Sequence, residues 1–348
     1  MNLTNTLLLD AAMRTPTSRT PVWLMRQAGR YLPEYRAVRA KVDFLTLCKT
    51  PELAAEVTIQ PVDIIGVDAA IIFSDILVIP EALGMQLIVE EGKGGPGFPA
   101  PIRSEANVAA LRTDGAAERL RFVYDALSLT KRELRGRVPL IGFAGAPWTL
   151  ATYMIEGGHS KNFTIIKGWM YDQPDMLHAL LRKLSGALSQ YLIAQVQVGG
   201  ADIVQIFDTW AGILSKDAFL TFSLPYIRQI IEQVKSATSV PVILFAKGAN
   251  SSLREMSQCG ADVLGLDWTV DIGEVREELG GVVALQGNLD PVNLYAAPEK
   301  IRSAVDAIVK KYGPNPGHIF NLGHGILPDV PVEHAQAFVR AVKELSTK

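Results

Sequence analysis

Residues 140–148, LIGFAGAPW, carry the architecture in miniature. Leu140 to Ala144 is an apolar run too compact for a helix, and it stops at Gly145-Ala146-Pro147-Trp148. A strand that is apolar on both faces belongs to a parallel sheet covered on both sides. The pattern recurs at Val22 to Met25, Ala69 to Phe73, Ile203 to Phe207, Val242 to Phe245, Val263 to Leu266, Val283 to Leu285 and Ile319 to Leu322, each run closing on polar residues or glycine. Helical periodicity fills the intervals at Pro51 to Ile65, Ala116 to Leu134, Pro174 to Val198, Asp217 to Ser236, Ser252 to Gln258 and Pro298 to Lys311. Proline just after Thr50 and just after Ala297 marks two helix starts, where its missing N–H costs nothing.

This alternation predicts an α/β fold, a single (β/α)8 TIM barrel over residues 1–348 with a short N-terminal extension at about residues 1–20. A doubly wound open sheet is the alternative. The length of 348 residues would allow two domains, but no Pro/Ser-rich linker divides the chain.

Composition narrows the function. Hydrophobic residues make up 48% and charged residues 20%, enough for a large core, while a formal net charge of −2 excludes a generally basic nucleic-acid binder. Two distant cysteines, Cys48 and Cys259, argue against a disulfide framework or a thiolate zinc site and fit a reducing compartment. The N-terminus holds a short apolar patch interrupted by Asp10 and reads as a short helix, not a signal peptide, and no stretch is long and apolar enough for a membrane span. The expected location is the cytoplasm.

A barrel gathers the carboxyl ends of its strands around one mouth, where loops build the active site. Those ends read Arg26-Gln27-Ala28-Gly29-Arg30, Ser74-Asp75, Gly145 to Trp148, Asp208-Thr209-Trp210, Lys247-Gly248, Asp267-Trp268, Gln286 to Asp290 and Asn321 to Gly325. No nucleophile–base pair, metal-ligand cluster or dinucleotide glycine fingerprint stands among them. Arg26 and Arg30 head a run that also holds Arg36 and Arg39, with Arg19 just before. Guanidinium forks suit carboxylates or phosphates, so this run reads as an anion clamp.

The stretches PVWLMRQAGRYLPEYR, AAIIFSDIL, LIGFAGAPWTLATYMIEGG, VLGLDW, LQGNLDP and NLGHGILP, in this order from about Pro21 to about His334, resemble the uroporphyrinogen decarboxylase family. The resemblance implies the same barrel, a homodimer, and no metal or organic cofactor. It also implies conversion of the four acetate side chains of uroporphyrinogen III to methyl groups, giving coproporphyrinogen III. Carried over by motif, the substrate-binding stretch falls on Arg26, Gln27, Ala28, Gly29 and Arg30. The ring-centre aspartate falls on Asp75, the tyrosine of the TYM element on Tyr153, the Ser/Thr position on Thr209 and the histidine of NLGHG on His324. Asp75, Arg26, Tyr153 and His324 form the expected catalytic set.

The chemistry suits those residue types. Loss of carbon dioxide from a pyrrole acetate needs an electron acceptor, and protonating the ring makes one from the substrate itself. Asp75 is the natural partner of the pyrrole N–H groups and of the developing cation. Arg26 and Arg30 would bind carboxylates, with Arg26 the candidate to deliver or relay the proton, although an arginine is a poor acid. Tyr153, Thr209 and His324 would orient substrate arms, His324 gaining charge if bound carboxylates raise its pKa.

Other features carry less. The run EGKGGPGF at residues 91–98 lacks phosphate-loop spacing and reads as a flexible loop. Lys247 reads as a member of an ordinary ion pair, Trp148, Trp210 and Trp268 as packing residues, and His159, His178, His318 and His334 as structural. Two other functions compete. A cobalamin-linked methyltransferase of related fold would need a His-x-Cys zinc arrangement that the chain lacks, and a non-catalytic polycarboxylate binder would show no turnover.

Overall fold

The computed structural model describes residues 3–90 and 95–347. Strand β1 (Ala70–Ile71) opens the main sheet, and β2 (Ile88–Glu90) pairs antiparallel with β3 (Gly95–Gly97) in a separate hairpin. Strands β4 (Leu140–Gly145), β5 (Ile203–Asp208), β6 (Val242–Ala246), β7 (Val263–Gly265), β8 (Ala284–Gln286) and β9 (His318–Ile319) follow. The order β1-β4-β5-β6-β7-β8-β9 is parallel throughout and curls into a half-barrel with helices outside.

The period-two rule sorts its strands cleanly. Ile141, Ile203, Ile243, Val263, Ala284 and Ile319 share one core with the segment Val22 to Met25. Leu140, Val204, Ile206, Val242, Leu244, Leu264 and Leu285 belong to a second core formed with the surrounding helices. The concave face also buries amides: Gln286 accepts from the Trp23 indole N–H at 2.9 Å and donates toward Gln205 at 3.4 Å.

The expected first strand, Val22 to Met25, pairs only through a parallel bridge between Val22 and Phe320. Side chains have displaced the ladder. The Val22 N–H donates to the Asp68 carboxylate, Leu24 N–H to Gln27 Oε1 and Met25 N–H to Asn321 Oδ1, at 3.0, 3.1 and 3.0 Å. The segment nevertheless touches both ends of the sheet, because Trp23 N–H donates to Phe320 O at 3.2 Å and Asp68 N–H to Val22 O at 2.7 Å.

Two expected helices are broken. Ala116 to Leu134 splits at Leu120 into Ala116–Arg119 and Arg121–Leu134. Asp217 to Ser236 splits into Lys216–Phe222 and Leu224–Ala237, because Pro225 cannot donate into a continuous helix and opens the second one instead. Of the run expected as a flexible loop, residues 91–94 lie outside the described residues, whereas Gly95–Gly97 is strand β3. The N-terminal helix is present at Leu7–Ala12, with Leu8 fully buried.

Candidate active site

The loops after the strands surround a cavity of about 460 Å³. Arg26 to Arg30, Asp75, Thr209 and His324 all line it, drawn from the two ends of the sheet and from β5 between them. Tyr153 is not among the lining residues. It sits on the helix Pro147–Glu156 with its ring 6.1 Å from Trp210, close enough for the charges of Asp75 and Arg26 to act on its phenol.

The arginine loop is built on a strained residue. Arg26 has φ +62°, a left-handed conformation uncommon outside glycine, and two close approaches hold it. A Cβ on Gly29 would stand 2.8 Å from the Arg26 carbonyl oxygen, and one on Gly325 would stand 2.4 Å from Arg26 Cδ. Gln27 is fully buried, and its amide is committed to the backbone of Leu24 and Ala69, so it offers the cavity structure and not a side-chain contact. A Gly325→Ala variant should therefore fold normally yet displace the Arg26 side chain. Misplacing a positioning group by about 1 Å can cost roughly a hundredfold, so kcat/KM should fall by between about ten- and a hundredfold with an unchanged melting temperature.

The arginine run divides by role. Arg19 makes a bidentate pair with buried Asp68 at 2.6 and 2.7 Å, Arg36 donates to the carbonyls of Arg30 and Tyr31, and Arg39 donates to the Val42 carbonyl. Arg26 and Arg30 are exposed at the cavity and make no side-chain hydrogen bond or ion pair within the described residues. They are the cations left over for an anionic ligand.

Asp75 is half-buried on the wall, and one carboxylate oxygen accepts the Leu77 N–H at 2.7 Å. Desolvation raises its pKa above the ordinary carboxylate value, against the lowering effects of that hydrogen bond and of Arg26. His324 goes the other way. Burial, with Arg26 and Lys247 nearby, depresses its pKa to about 3, so its imidazole is neutral and its buried Nδ1 has no hydrogen-bond partner. Behind Thr209, buried Asp208 accepts hydrogen bonds from Thr149 and Ser223 at 2.6 and 2.5 Å, and desolvation pushes it up to about 6.

The residues that the sequence reading missed are the aromatic walls. Phe143 and Phe207 meet edge-on at 5.7 Å, and Phe73 packs against Tyr35 and Phe44 at 5.6 and 5.9 Å. Phe143 and Phe207 were within reach of pattern alone, since each lies an even number of residues beyond the concave-face residues Ile141 and Ile203. Tyr31, also on the wall, carries a buried hydroxyl without a partner. Trp148 is fully buried and donates to the Trp210 carbonyl at 3.1 Å, as a packing residue should. Lys247, expected in an ion pair, has none among the described residues; its ammonium lies 5.7 Å from the centre of the exposed Trp268 ring.

The uroporphyrinogen decarboxylase family model matches residues 3–345. The chain belongs to the uroporphyrinogen decarboxylase family. Proteins of that name from Chloroherpeton thalassium and Chlorobaculum tepidum are 57% and 55% identical to it, each over 99% of both chains. The activity is accordingly that of a carboxy-lyase of porphyrin biosynthesis, removing carbon dioxide from the acetate arms of uroporphyrinogen III to give coproporphyrinogen III. Among solved structures, a methyltransferase from Methanosarcina mazei is similar over 99% of both chains with a TM-score of 0.81 at 21% identity, a likeness of fold alone. A uroporphyrinogen decarboxylase needs room and cations for a large, polyanionic tetrapyrrole ring, and the cavity here offers apolar walls with two arginines that form no ion pair among the described residues.

Proposed function

We propose that the 1–348 chain is one closed (β/α)8 barrel whose cavity holds the porphyrinogen ring against Asp75, with Arg26 and Arg30 on its carboxylates. Closure is supported by the hydrogen bonds from Val22 to Met25 toward both ends of the sheet. The observation that carries the site is a half-buried carboxylate sharing an aromatic-walled cavity with two guanidiniums that no protein acid neutralises.

In this reading the ring is protonated at a pyrrole carbon, forming a C–H bond and an iminium-like cation. The acetate C–C bond then breaks, its electron pair flows into that cation and carbon dioxide leaves; protonation of the resulting methylene gives the methyl group, and the ring carbon gives back its added proton to restore the pyrrole, for a net uptake of one proton. The raised pKa of Asp75 supports giving it the first proton in preference to Arg26, whose guanidinium holds its proton too tightly. Once it has given up that proton, Asp75 is a carboxylate beside the cation it has made, an interaction strongest where the charge develops. Arg26 steadies the substrate and the Asp75 charge. Thr209 and the neutral His324 orient arms by hydrogen bonding, and Tyr153 acts from behind the wall through Trp210. The reaction draws on no metal or organic cofactor and the enzyme works as a homodimer, both on the family resemblance; a cytoplasmic location is the reading that its two free cysteines favour.

The test is anaerobic incubation of metal-stripped protein with uroporphyrinogen, followed by chromatography of the oxidised porphyrins. Stepwise loss of carboxyl groups in the presence of chelator is expected; unchanged substrate at high enzyme concentration would sink the reading. For Arg30→Ala, a charge-assisted contact of roughly 1.5–3 kcal/mol is lost, so KM should rise at least about tenfold with kcat little changed. An unaltered KM in steady-state assays removes Arg30 from the clamp.

A further inference from the structure

Lys247 stands at the end of β6, on the same mouth as Thr209 at the end of β5, and its backbone N–H donates to the Asp208 carbonyl at 3.1 Å. Its ammonium is placed over the Trp268 ring. The Trp268 backbone in turn packs against the turn that carries His324, since a Cβ on Gly323 would stand 2.5 Å from the Trp268 main-chain nitrogen and 3.1 Å from its Cβ. Within the described residues Lys247 has neither a hydrogen-bond acceptor nor a carboxylate partner for its side chain.

Three observations meet at His324. Arg26 acts on it electrostatically from the first segment and Lys247 from β6, and both lack an acid partner. Asp267, the acid that also acts on it, accepts from Gly248 N–H, the Asn250 amide and both Thr269 donors, and within the described residues it forms no ion pair with either cation. The imidazole carries a buried Nδ1 that has no hydrogen-bond partner among the described residues. Two cations without an ion-pair partner, both acting on a neutral ring, repel each other, and an anion placed beside them relieves that repulsion.

We infer that Lys247 and Arg26 bracket His324 as a carboxylate subsite that takes one peripheral arm of the substrate, with Trp268 as the shelf that keeps the lysine pointed at it. The inference rests on the reading that this cavity holds the porphyrinogen. It adds a third cationic anchor to Arg26 and Arg30, set off from them by His324. Lys247 binds and does not react, so its loss should appear in KM and not in kcat.

The experiment compares wild type, Lys247→Gln, Lys247→Arg and Lys310→Gln on uroporphyrinogen at low and high salt. Lys310 is a solvated lysine paired with Asp306 at 2.5 Å and supplies the same change in net charge away from the mouth. Lys247→Gln should raise KM about tenfold with kcat within about twofold and an unchanged melting temperature. Lys247→Arg should recover most of the loss, and Lys310→Gln should behave as wild type. An unchanged KM in Lys247→Gln overturns the inference, as does an equal rise in Lys310→Gln, which would reduce the effect to net charge. Failure of the underlying reading is a different result, namely no turnover by the wild-type protein.

Discussion

Asp75→Asn is expected to lower kcat on uroporphyrinogen by about a hundred- to a thousandfold, the usual scale for removing a preorganised group that meets developing charge, while KM stays within a few-fold. The amide still accepts pyrrole N–H groups, so the ring binds; it carries neither the proton nor the negative charge that the cationic transition state needs. Single-turnover measurements separate the two effects. A variant that binds poorly but converts bound substrate at the normal rate would show that Asp75 is only an anchor. The same substitution carries a stability signature. Desolvation raises the Asp75 pKa, so its contribution to stability is fully present below the unfolded value and is lost as pH rises through the folded one. Asp75→Asn lacks that loss, and its melting temperature should overtake wild type as pH rises through that range.

The largest effect on stability is expected at Asp68. Its carboxylate is almost fully buried and accepts both guanidinium donors of Arg19, the Asn5 amide at 3.0 Å and the Val22 N–H at 3.0 Å. Truncation to alanine strands a partly buried Arg19, whose side chain is 20% exposed, and frees the backbone donor that fixes the first segment. Breaking such a pair from one side costs about 3–5 kcal/mol, which urea unfolding would read as a lowered midpoint. Asp125→Ala, which opens the exposed pair with Arg121, should cost almost nothing. Equal midpoints for the two variants would deny Asp68 its part in the seam.

The parallel strands were legible because near-continuous apolar runs have few other uses, and β4, β5 and β6 fall within a residue of their expected limits. Val22 to Met25 has the right composition for a strand, but its donors go to Asp68, Gln27 and Asn321, partners that local pattern cannot supply. The long helices were legible as apolar periodicity and not as continuous rods, since the breaks at Leu120 and Ser223 interrupt no apolar stripe. At the site, residue types at strand ends found the arginine loop, Asp75, Thr209 and His324 because a barrel gathers those positions by topology. The depressed pKa of His324 comes first from burial and then from two cations distant in sequence, and the Gln27 amide is committed to the distant Ala69 carbonyl; neither could be read locally. The strand-end tryptophans read as packing residues, and the aromatic surface of the cavity lies on Phe44, Phe73, Phe143 and Phe207, which strand-end polarity does not single out.

The side-chain stitching of the first segment makes ligand binding a reporter of folding. Gln27 reaches the Ala69 carbonyl beside β1, while Met25 is tied to Asn321 beside β9, so the Arg26 loop has its shape only when the beginning and end of the sheet have met. A chain arrested before that meeting would own most of its hydrophobic core and still be blind to substrate. Conversely, a bound polycarboxylate withdraws molecules from the open population by mass action, protecting a seam held by a handful of polar contacts. In a cell, such an enzyme would be longest-lived when its substrate is abundant.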